Sequence, residues 1–125
     1  MSVSTQLQCH ELKKLLAADL ILVDIRRQEE WLSTGVIEGS LCLTFFDQSG
    51  NADAADWLRQ LDQLVPVGKP LALICRSGYR TGLVCDFLSQ VSDRAQLYNV
   101  AGGILEWLAA GLPVVKLDGQ RGDEL

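Results

Sequence analysis

Residues 71–80 read LALICRSGYR, and the polarity of the chain changes abruptly in the middle of this stretch. The run LALI is short, apolar and uninterrupted, which predicts a strand buried on both faces of a parallel sheet. In the segment that follows, apolar residues recur at helical spacing: Leu83, Val84, Phe87, Leu88 and Val91. The stretch therefore predicts a strand, a tight loop and a helix.

A strand-to-helix junction of this kind favours an anion at the loop. Backbone N–H groups without partners and the positive end of the helix dipole both face the loop mouth. Cys75 lies where the strand ends, and Arg76 and Arg80 follow it, so its sulfur is favoured as a thiolate. Such a thiolate is a nucleophile that needs no separate base. Gly78 suits a backbone that curls around a ligand, whereas the alternative for Cys75 is a small residue that only packs.

The composition limits the fold and the class of partner. A chain of 125 residues predicts a single domain over residues 1–125, with about residues 1–7 and 116–125 peripheral or flexible. No apolar run approaches the roughly 20 residues of a membrane span. The formal net charge of −5 argues against nucleic acid and against an anionic membrane as partners, because both attract basic surfaces.

The four cysteines are Cys9, Cys42, Cys75 and Cys85, and no two of them form a C-x-x-C pair. This spacing disfavours a zinc site and a thioredoxin-type dithiol, so neither a metal nor another cofactor is predicted. Residues 1–8 do not resemble a secretory signal, which predicts a cytoplasmic protein with reduced thiols. Cys85 either resolves an oxidised Cys75 or packs in the core, and its apolar neighbours favour packing.

Strands and helices alternate along the rest of the chain. Strands are predicted at residues 5–7, 21–23, 36–44, 71–74 and 96–100, with helices near residues 11–17, 29–34, 53–65, 83–91 and 103–111. This alternation predicts an α/β fold with a mostly parallel central sheet of about five strands and helices on both faces. Reactive groups of such sheets gather beyond the carboxyl ends of the strands, where Cys75 and Asp24 are expected.

Three polar residues outside the loop are candidates for the site. Asp24 either caps the following helix or supports the loop by pairing with Arg80. Arg26 is predicted to form a surface pair with Glu30 at i,i+4 spacing. His10 is the single histidine and is predicted to be a surface or capping side chain rather than a catalytic base.

Residues 75–80, CRSGYR, resemble the active-site loop of the rhodanese (sulfurtransferase) family. Two further motifs match in order: LVDIR at residues 22–26 with EEW at 29–31, and VAGG at 100–103 with GLPV at 111–114. Val36 and Glu38 depart from the histidine and proline that the family commonly has, which affects local packing more than sulfur chemistry. The resemblance implies the compact rhodanese fold in its single-domain form.

The resemblance also implies a sulfurtransferase of the thiosulfate type. A small anionic donor such as thiosulfate, or a persulfide, would pass its sulfane sulfur to Cys75, and the Cys75 persulfide would pass it to a thiol, a protein or cyanide. The substrate-binding loop would be formed by Arg76, Ser77, Gly78, Tyr79 and Arg80. Arg76 and Arg80 would hold the anionic donor, or one of the two would instead brace the loop.

Two alternatives remain at the level of sequence. A cysteine-dependent phosphatase or arsenate reductase also places a thiolate and an arginine around an anion, but its loop is C-x5-R, whereas Cys75 to Arg80 is C-x4-R. The shorter loop leaves less room for a tetrahedral oxyanion. A non-catalytic rhodanese-like binding module would typically have lost the cysteine that this chain retains.

Overall fold

Strands and helices alternate along the described part of the chain. A computed structural model describes residues 4–94 and 96–117. Its elements in chain order are β1 Thr5–Leu7, α1 Cys9–Leu16, β2 Ile21–Asp24, α2 Gln28–Thr34, β3 Leu41–Cys42, α3 Ala54–Leu64, β4 Leu71–Ile74, α4 Tyr79–Val91, β5 Leu97–Val100 and α5 Gly103–Ala109. The predicted alternation is confirmed, while much of both terminal segments, residues 1–3 and 118–125, lies outside the described residues.

All five strands form one parallel sheet in the order β1-β5-β4-β2-β3. The predicted buried strand is β4, whose four residues are all buried because it lies between β2 and β5. Parallel strands share one direction, so the carboxyl ends of β2, β4 and β5 meet at one edge. We call this edge, with the residues that follow the three strands, the carboxyl edge.

Helices cover both faces of the sheet, as predicted. Leu71 and Leu73 of β4 face α3 and α4, while Ala72 and Ile74 face α1 and α5, because successive side chains of a strand point to opposite faces. Trp57 and Leu61 of α3 and Val84 and Leu88 of α4 fill the first layer. Leu12 of α1 and Ile104 and Trp107 of α5 fill the second. The two layers hold β4, and with it the loop that follows, in a fixed position.

The predicted strand over residues 36–44 is mostly wrong. Only Leu41–Cys42 pairs with β2, and Val36 forms an isolated antiparallel bridge with Val115. The Ser40 N–H donates to the Ile37 carbonyl oxygen at 3.0 Å, which closes a turn between these two short pairings. The apolar residues of this segment are therefore buried by a turn rather than by a continuous strand.

The buried face of α4 differs from the predicted one. Val84 and Leu88 are buried as expected, but Leu83 and Val91 are exposed by 47% and 52%. Thr81 lies in the interior instead, together with Cys85, whose packing in the core was expected. The helix is rotated because its first turn carries Thr81 inward, beneath Cys75, and this rotation brings a polar residue to the site.

Candidate active site

Cys75 is the first residue after β4, and it is 1% exposed. Its sulfur lies against the short loop that leads into α4. The Gly78 N–H donates to the Cys75 Sγ at 3.2 Å. The predicted strand, loop and helix are thus confirmed, and the sulfur faces the beginning of the helix.

The loop is held from the α5 side through its carbonyl groups. The N–H of Ile104 donates to the Cys75 carbonyl oxygen at 2.9 Å, and the N–H of Leu105 donates to the Arg76 carbonyl oxygen at 3.1 Å. Gly103, at φ +58°, makes this approach possible, because a Cβ there would stand 2.5 Å from both carbonyl oxygens. Gly103 therefore lets α5 dock its first turn directly on the loop.

The loop itself bends at Gly78, which has a left-handed φ of +94°. A Cβ at this residue would lie 3.3 Å from the backbone nitrogen of Gly102, at the start of α5. The bend directs the chain into α4 and carries the backbone close to β5 and α5. Gly78 thus has the role that the sequence predicts for it, a residue without a side chain at a tight turn.

Most backbone N–H groups of the loop have no protein partner. Within residues 4–94 and 96–117, no hydrogen bond is made by the backbone N–H groups of Arg76, Ser77, Tyr79 and Arg80. The hydrogen bonds of α4 begin only with the Gly82 N–H, which donates to the Gly78 carbonyl oxygen. Such N–H groups at the first turn of a helix stabilise negative charge. The loop is therefore suited to bind an anion next to the Cys75 sulfur.

Arg80 pairs with Glu30 of α2 and not with Asp24, so the predicted pairing with Asp24 is wrong. Both guanidinium nitrogens donate to the two carboxylate oxygens of Glu30 at 2.8 Å. The Arg80 hydrogen bonds lower the pKa of Glu30 to about 2, and the same contact raises the pKa of Arg80. Arg80 thus braces the loop against α2, although it still places positive charge near Cys75.

Asp24 lies at the carboxyl edge as predicted, but its partner is Arg26. The Arg26 Nη2 donates to Asp24 Oδ2 at 2.8 Å and the Nε to Oδ1 at 2.9 Å, with both side chains 1% exposed. Arg26 also donates to the Thr34 hydroxyl at 2.8 Å and to the Gly35 carbonyl oxygen at 3.0 Å. The predicted surface pair of Arg26 with the Glu30 carboxylate is therefore wrong, because Asp24 and α2 together bury the guanidinium.

Arg76 and Tyr79 extend from the loop toward solvent. Tyr79 is 72% exposed, and Arg76 forms no ion pair within the part of the chain that the structure describes. Beside Arg76 is a cavity of about 180 Å³. Its lining includes Glu30, Ser33 and Thr34 of α2 and Leu105 of α5. Of the two loop arginines, Arg76 is the one whose charge is available to a ligand.

Two buried polar residues of the site escaped the sequence analysis. Thr81 is fully buried, with its Oγ1 3.4 Å from the Cys75 Sγ and 2.5 Å from Asn99 Oδ1. Asn99 lies in β5 and is 5% exposed. A signal existed for each: Thr81 directly follows the loop arginine, and Asn99 interrupts an otherwise apolar strand before the VAGG motif.

Cys9 and Cys85 are buried thiols that pack in the core, as predicted. Burial, followed by the charge of Glu106, raises the pKa of Cys9 to about 11. Burial, followed by the charges of Asp86 and Cys75, raises the pKa of Cys85 to about 12. Both groups are therefore neutral and poor nucleophiles at neutral pH.

Other parts of the structure add no reactive group to the loop. His10 is exposed and lines a cavity of about 650 Å³ between α1 and α5, which does not include Cys75. Within residues 4–94 and 96–117, no three His, Cys, Asp or Glu side chains are grouped so that they could bind a metal ion. In the same residues, no helix is long and apolar enough to cross a membrane.

Comparisons with known proteins identify the family. Residues 8–110 match the model of the rhodanese-like domain. A protein named sulfurtransferase from Allochromatium vinosum is 31% identical over 101 residues, which cover 81% of this chain and 83% of that protein.

Two solved structures share the fold. A rhodanese-related protein from Thermoplasma volcanium superposes with a TM-score of 0.68 at 26% identity, covering 88% of this chain and 96% of that one. The protein Rv0390 from M. tuberculosis superposes with a TM-score of 0.77 at 21% identity, covering 93% of this chain and 100% of that one. Because the matched segment contains strands β2 to β5 and the whole Cys75 loop, this chain belongs to the rhodanese-like domain family.

Proposed function

We propose that this protein is a sulfurtransferase that uses Cys75 as its nucleophile. The Cys75 thiolate attacks the outer sulfur of thiosulfate or of a persulfide, the new S–S bond forms at Sγ, and sulfite or a thiolate leaves with the electron pair of the old bond. An acceptor thiolate or cyanide then attacks the outer sulfur, and the Cys75 thiolate departs. The reaction is a double displacement with a covalent intermediate.

One observation carries this proposal: the buried sulfur of Cys75 lies in a loop whose remaining N–H groups have no protein partner. The Gly78 N–H already binds Sγ, at 3.2 Å. The unpartnered N–H groups of residues 76, 77, 79 and 80 are available to a second sulfur atom attached to Cys75. Preorganised donors of this kind stabilise a terminal anion as an oxyanion hole stabilises oxygen.

The two loop arginines have different roles in the proposed reaction. Arg80 is committed to Glu30 through two hydrogen bonds of 2.8 Å, so it braces the loop. Arg76 is exposed beside the cavity of about 180 Å³ and is the side chain that binds the anionic donor. This division assigns donor binding to Arg76 and loop geometry to Arg80. Asp24 supports the loop only indirectly, by fixing Arg26 against α2.

The size of the loop favours sulfur over phosphoryl or arsenyl chemistry. Cys75 and Arg80 have four residues between them, and Arg80 is turned away toward Glu30 rather than held over the sulfur. A tetrahedral oxyanion would need that arginine and more room above Sγ. The retained cysteine also favours catalysis over a binding module. A nucleophilic thiol must stay reduced, which is why we propose the cytoplasm as its compartment.

The proposal is tested by intact-mass measurement after incubation with thiosulfate. The natural protein should gain the mass of one sulfur atom and lose it again when a thiol or cyanide is added. Cys75→Ser should gain none, while Cys85→Ser, which removes an equally buried thiol, should still gain it. Sulfur loading of Cys75→Ser, or failure of the natural protein to load from thiosulfate and from glutathione persulfide, would contradict the proposal.

A second assay separates sulfur transfer from phosphatase activity. We expect negligible hydrolysis of an aryl phosphate by the natural protein. Inserting one glycine between Gly78 and Tyr79 would widen the loop to C-x5-R and should lower sulfur transfer. Phosphatase turnover comparable to sulfur transfer, and absent from Cys75→Ser, would show that loop size does not discriminate between the two reactions.

A further inference from the structure

A chain of polar groups runs from Cys75 to the outermost strand β1; its two central members are buried, and its outer member, Gln6, is exposed. Thr81 Oγ1 lies 3.4 Å from the Cys75 Sγ, and the Thr81 hydroxyl donates to Asn99 Oδ1 at 2.5 Å. The Asn99 Nδ2 donates to Gln6 Oε1 at 3.1 Å and lies 3.3 Å from the Gly78 carbonyl oxygen. Both central members, Thr81 and Asn99, are at least nine-tenths buried.

The orientation of the Asn99 amide follows from its neighbours. A backbone carbonyl oxygen can only accept, so the Nδ2 group of Asn99 must face the Gly78 oxygen. The Oδ1 atom then faces Thr81 and can itself only accept. A threonine hydroxyl has one proton. The Gly78 carbonyl oxygen lies 3.3 Å from the Thr81 Oγ1, but Asn99 Oδ1, at 2.5 Å, is the nearer acceptor and takes that proton.

This commitment has a consequence for the sulfur. With its proton turned to Asn99, Thr81 presents a lone pair to the Cys75 Sγ, which suits an S–H group that donates to it. A thiolate or a persulfide anion can only accept and would need the Thr81 proton for itself. The Asn99 amide and an ionised Cys75 therefore compete for one proton.

We propose that Asn99 is a positioning residue that sets how readily Cys75 ionises, by holding or releasing the Thr81 hydroxyl proton. When the thiol loses its proton, the Thr81 hydroxyl rotates from Asn99 to the sulfur. The inference rests on the proposed function only in that Cys75 is taken as the nucleophile. The role of Asn99 would be to keep the thiol neutral until a negative charge on sulfur attracts the hydroxyl.

Other charges facing the sulfur are fixed by their own partners. From α4, Arg80 acts on Cys75 while paired with Glu30, and Cys85 is a neutral thiol. From the end of β2, the Asp24 carboxylate is neutralised by Arg26. From the loop, Arg76 is exposed to solvent. Substitutions at residues 81 and 99 leave all of these charges in place, so a change in the ionisation of Cys75 reports on the hydroxyl.

The test is the pH midpoint of Cys75 alkylation by iodoacetamide, followed by peptide mass spectrometry so that Cys75 is read alone. Thr81→Val removes the donor and should raise the midpoint by about one pH unit. Asn99→Leu removes the nearer acceptor of the hydroxyl, leaving the Gly78 carbonyl oxygen at 3.3 Å to compete with the sulfur, and should lower the midpoint by about one unit. The double variant should behave as Thr81→Val alone. If Thr81 and Asn99 only supported the fold, Thr81→Val and Asn99→Leu would not shift the midpoint in opposite directions.

Two controls keep the result interpretable. Gln6→Ala removes only the outer hydrogen bond of Asn99 and should shift the midpoint by much less than Asn99→Leu. Thermal unfolding checks that each variant is folded at the assay temperature. If Asn99→Leu is not folded, Asn99→Ser, which keeps a small polar side chain, is measured in its place. An unchanged or raised midpoint in a folded Asn99 variant would overturn the inference. No sulfur donor is used, so this failure is distinct from a failure of sulfur transfer.

Discussion

The two edges of the sheet both contain buried arginines, but they use them differently. We call the opposite side of the sheet, where β4 and β5 begin, the amino edge. There Arg94 is fully buried and donates to the carbonyl oxygens of Val65 and Pro66 at 2.7 and 3.1 Å. Its remaining contact is with Asp62 at 2.9 Å. These carbonyl groups follow the end of α3, where helix carbonyls lack partners. Arg94 therefore closes a helix. Its Nε makes no hydrogen bond within the described residues but is buried, so it does not face a ligand in solvent.

At the carboxyl edge, the buried Arg26 and the partly buried Arg80 are paired with carboxylates, while a third arginine has no ion pair within residues 4–94 and 96–117. Arg26 is neutralised by Asp24, and Arg80 by Glu30, which leaves Arg76 exposed beside the loop. The difference teaches that burial of an arginine does not by itself indicate a functional site. A binding site is indicated where the surrounding charges are paired but one arginine and several backbone N–H groups have no partner.

The largest effect should come from the amino edge. Arg94→Ala leaves the Val65 and Pro66 carbonyl oxygens without their donor and should lower the free energy of unfolding by about 4 kcal/mol. Sulfur loading per folded molecule should not change. Denaturant unfolding measures the first quantity, and intact mass at low temperature the second. Loss of loading in a folded Arg94→Ala protein would show that the two edges are not independent.

Gly103→Ala should have the next largest effect, at the carboxyl edge. The new Cβ would stand 2.5 Å from the carbonyl oxygens of Cys75 and Arg76, so the loop must shift, and stability should fall by about 3 kcal/mol with a loss of sulfur loading. Gly39→Ala is the matched control, because φ there is +86° but nothing lies within 4 Å. It should cost about 1 kcal/mol and leave loading intact. Equal effects of the two substitutions would contradict the contact between α5 and the loop.

Glu30→Gln should change how stability depends on pH. Arg80 lowers the pKa of Glu30 from 4.5 to about 2, so the ionised carboxylate contributes its full stability above pH 4.5 and loses it as the pH falls toward 2. Between pH 4.5 and pH 2 the free energy of unfolding should fall less in Glu30→Gln than in the natural protein, and the two decreases should differ by on the order of 2 kcal/mol. Glu29→Gln, which alters an exposed neighbour, is the control. Parallel curves for the natural protein and Glu30→Gln would mean that Glu30 does not brace Arg80.

Arg76→Ala should have the smallest effect on the fold and a clear effect on substrate. Arg76 is exposed and has no ion pair within the described residues, so the free energy of unfolding should be unchanged. Loss of its charge should raise KM for thiosulfate about tenfold with little change in kcat. Steady-state kinetics with thiosulfate and cyanide measures both. An unchanged KM would show that Arg76 does not bind the donor, and the proposed functional difference between the two edges would be wrong.

The position of Cys75 could be predicted from sequence because it depends on local patterns. An apolar run, a sudden change to polar residues, and a glycine are sufficient to indicate a buried strand that ends in a tight loop. The parallel sheet follows from the alternation of elements in the same way. Both predictions use information that lies within about ten residues along the chain.

The partners of the charged residues could not be predicted, because they depend on distance across elements. Glu30 and Arg80 are 50 residues apart, and only the folded chain brings α2 and the first turn of α4 close enough for them to pair. Arg26 could not be assigned to the interior, since most arginines are exposed. Thr81 was missed for a related reason: the apolar pattern of α4 favoured a helical face that the structure turns partly to solvent.

The pairing of β1 with β5 has a consequence for the order in which the protein assembles. Gln6 and Asn99 are 93 residues apart, yet they share a hydrogen bond, and β1 has β5 as its neighbour in the sheet. During synthesis, residues 5–7 leave the ribosome long before the strand that receives them exists. Contacts so distant along the chain form late, after β2 and β4 have had the opportunity to pair. In the nascent protein β2 and β4 can therefore pair before β5 and the polar chain from Gln6 to the sulfur are complete.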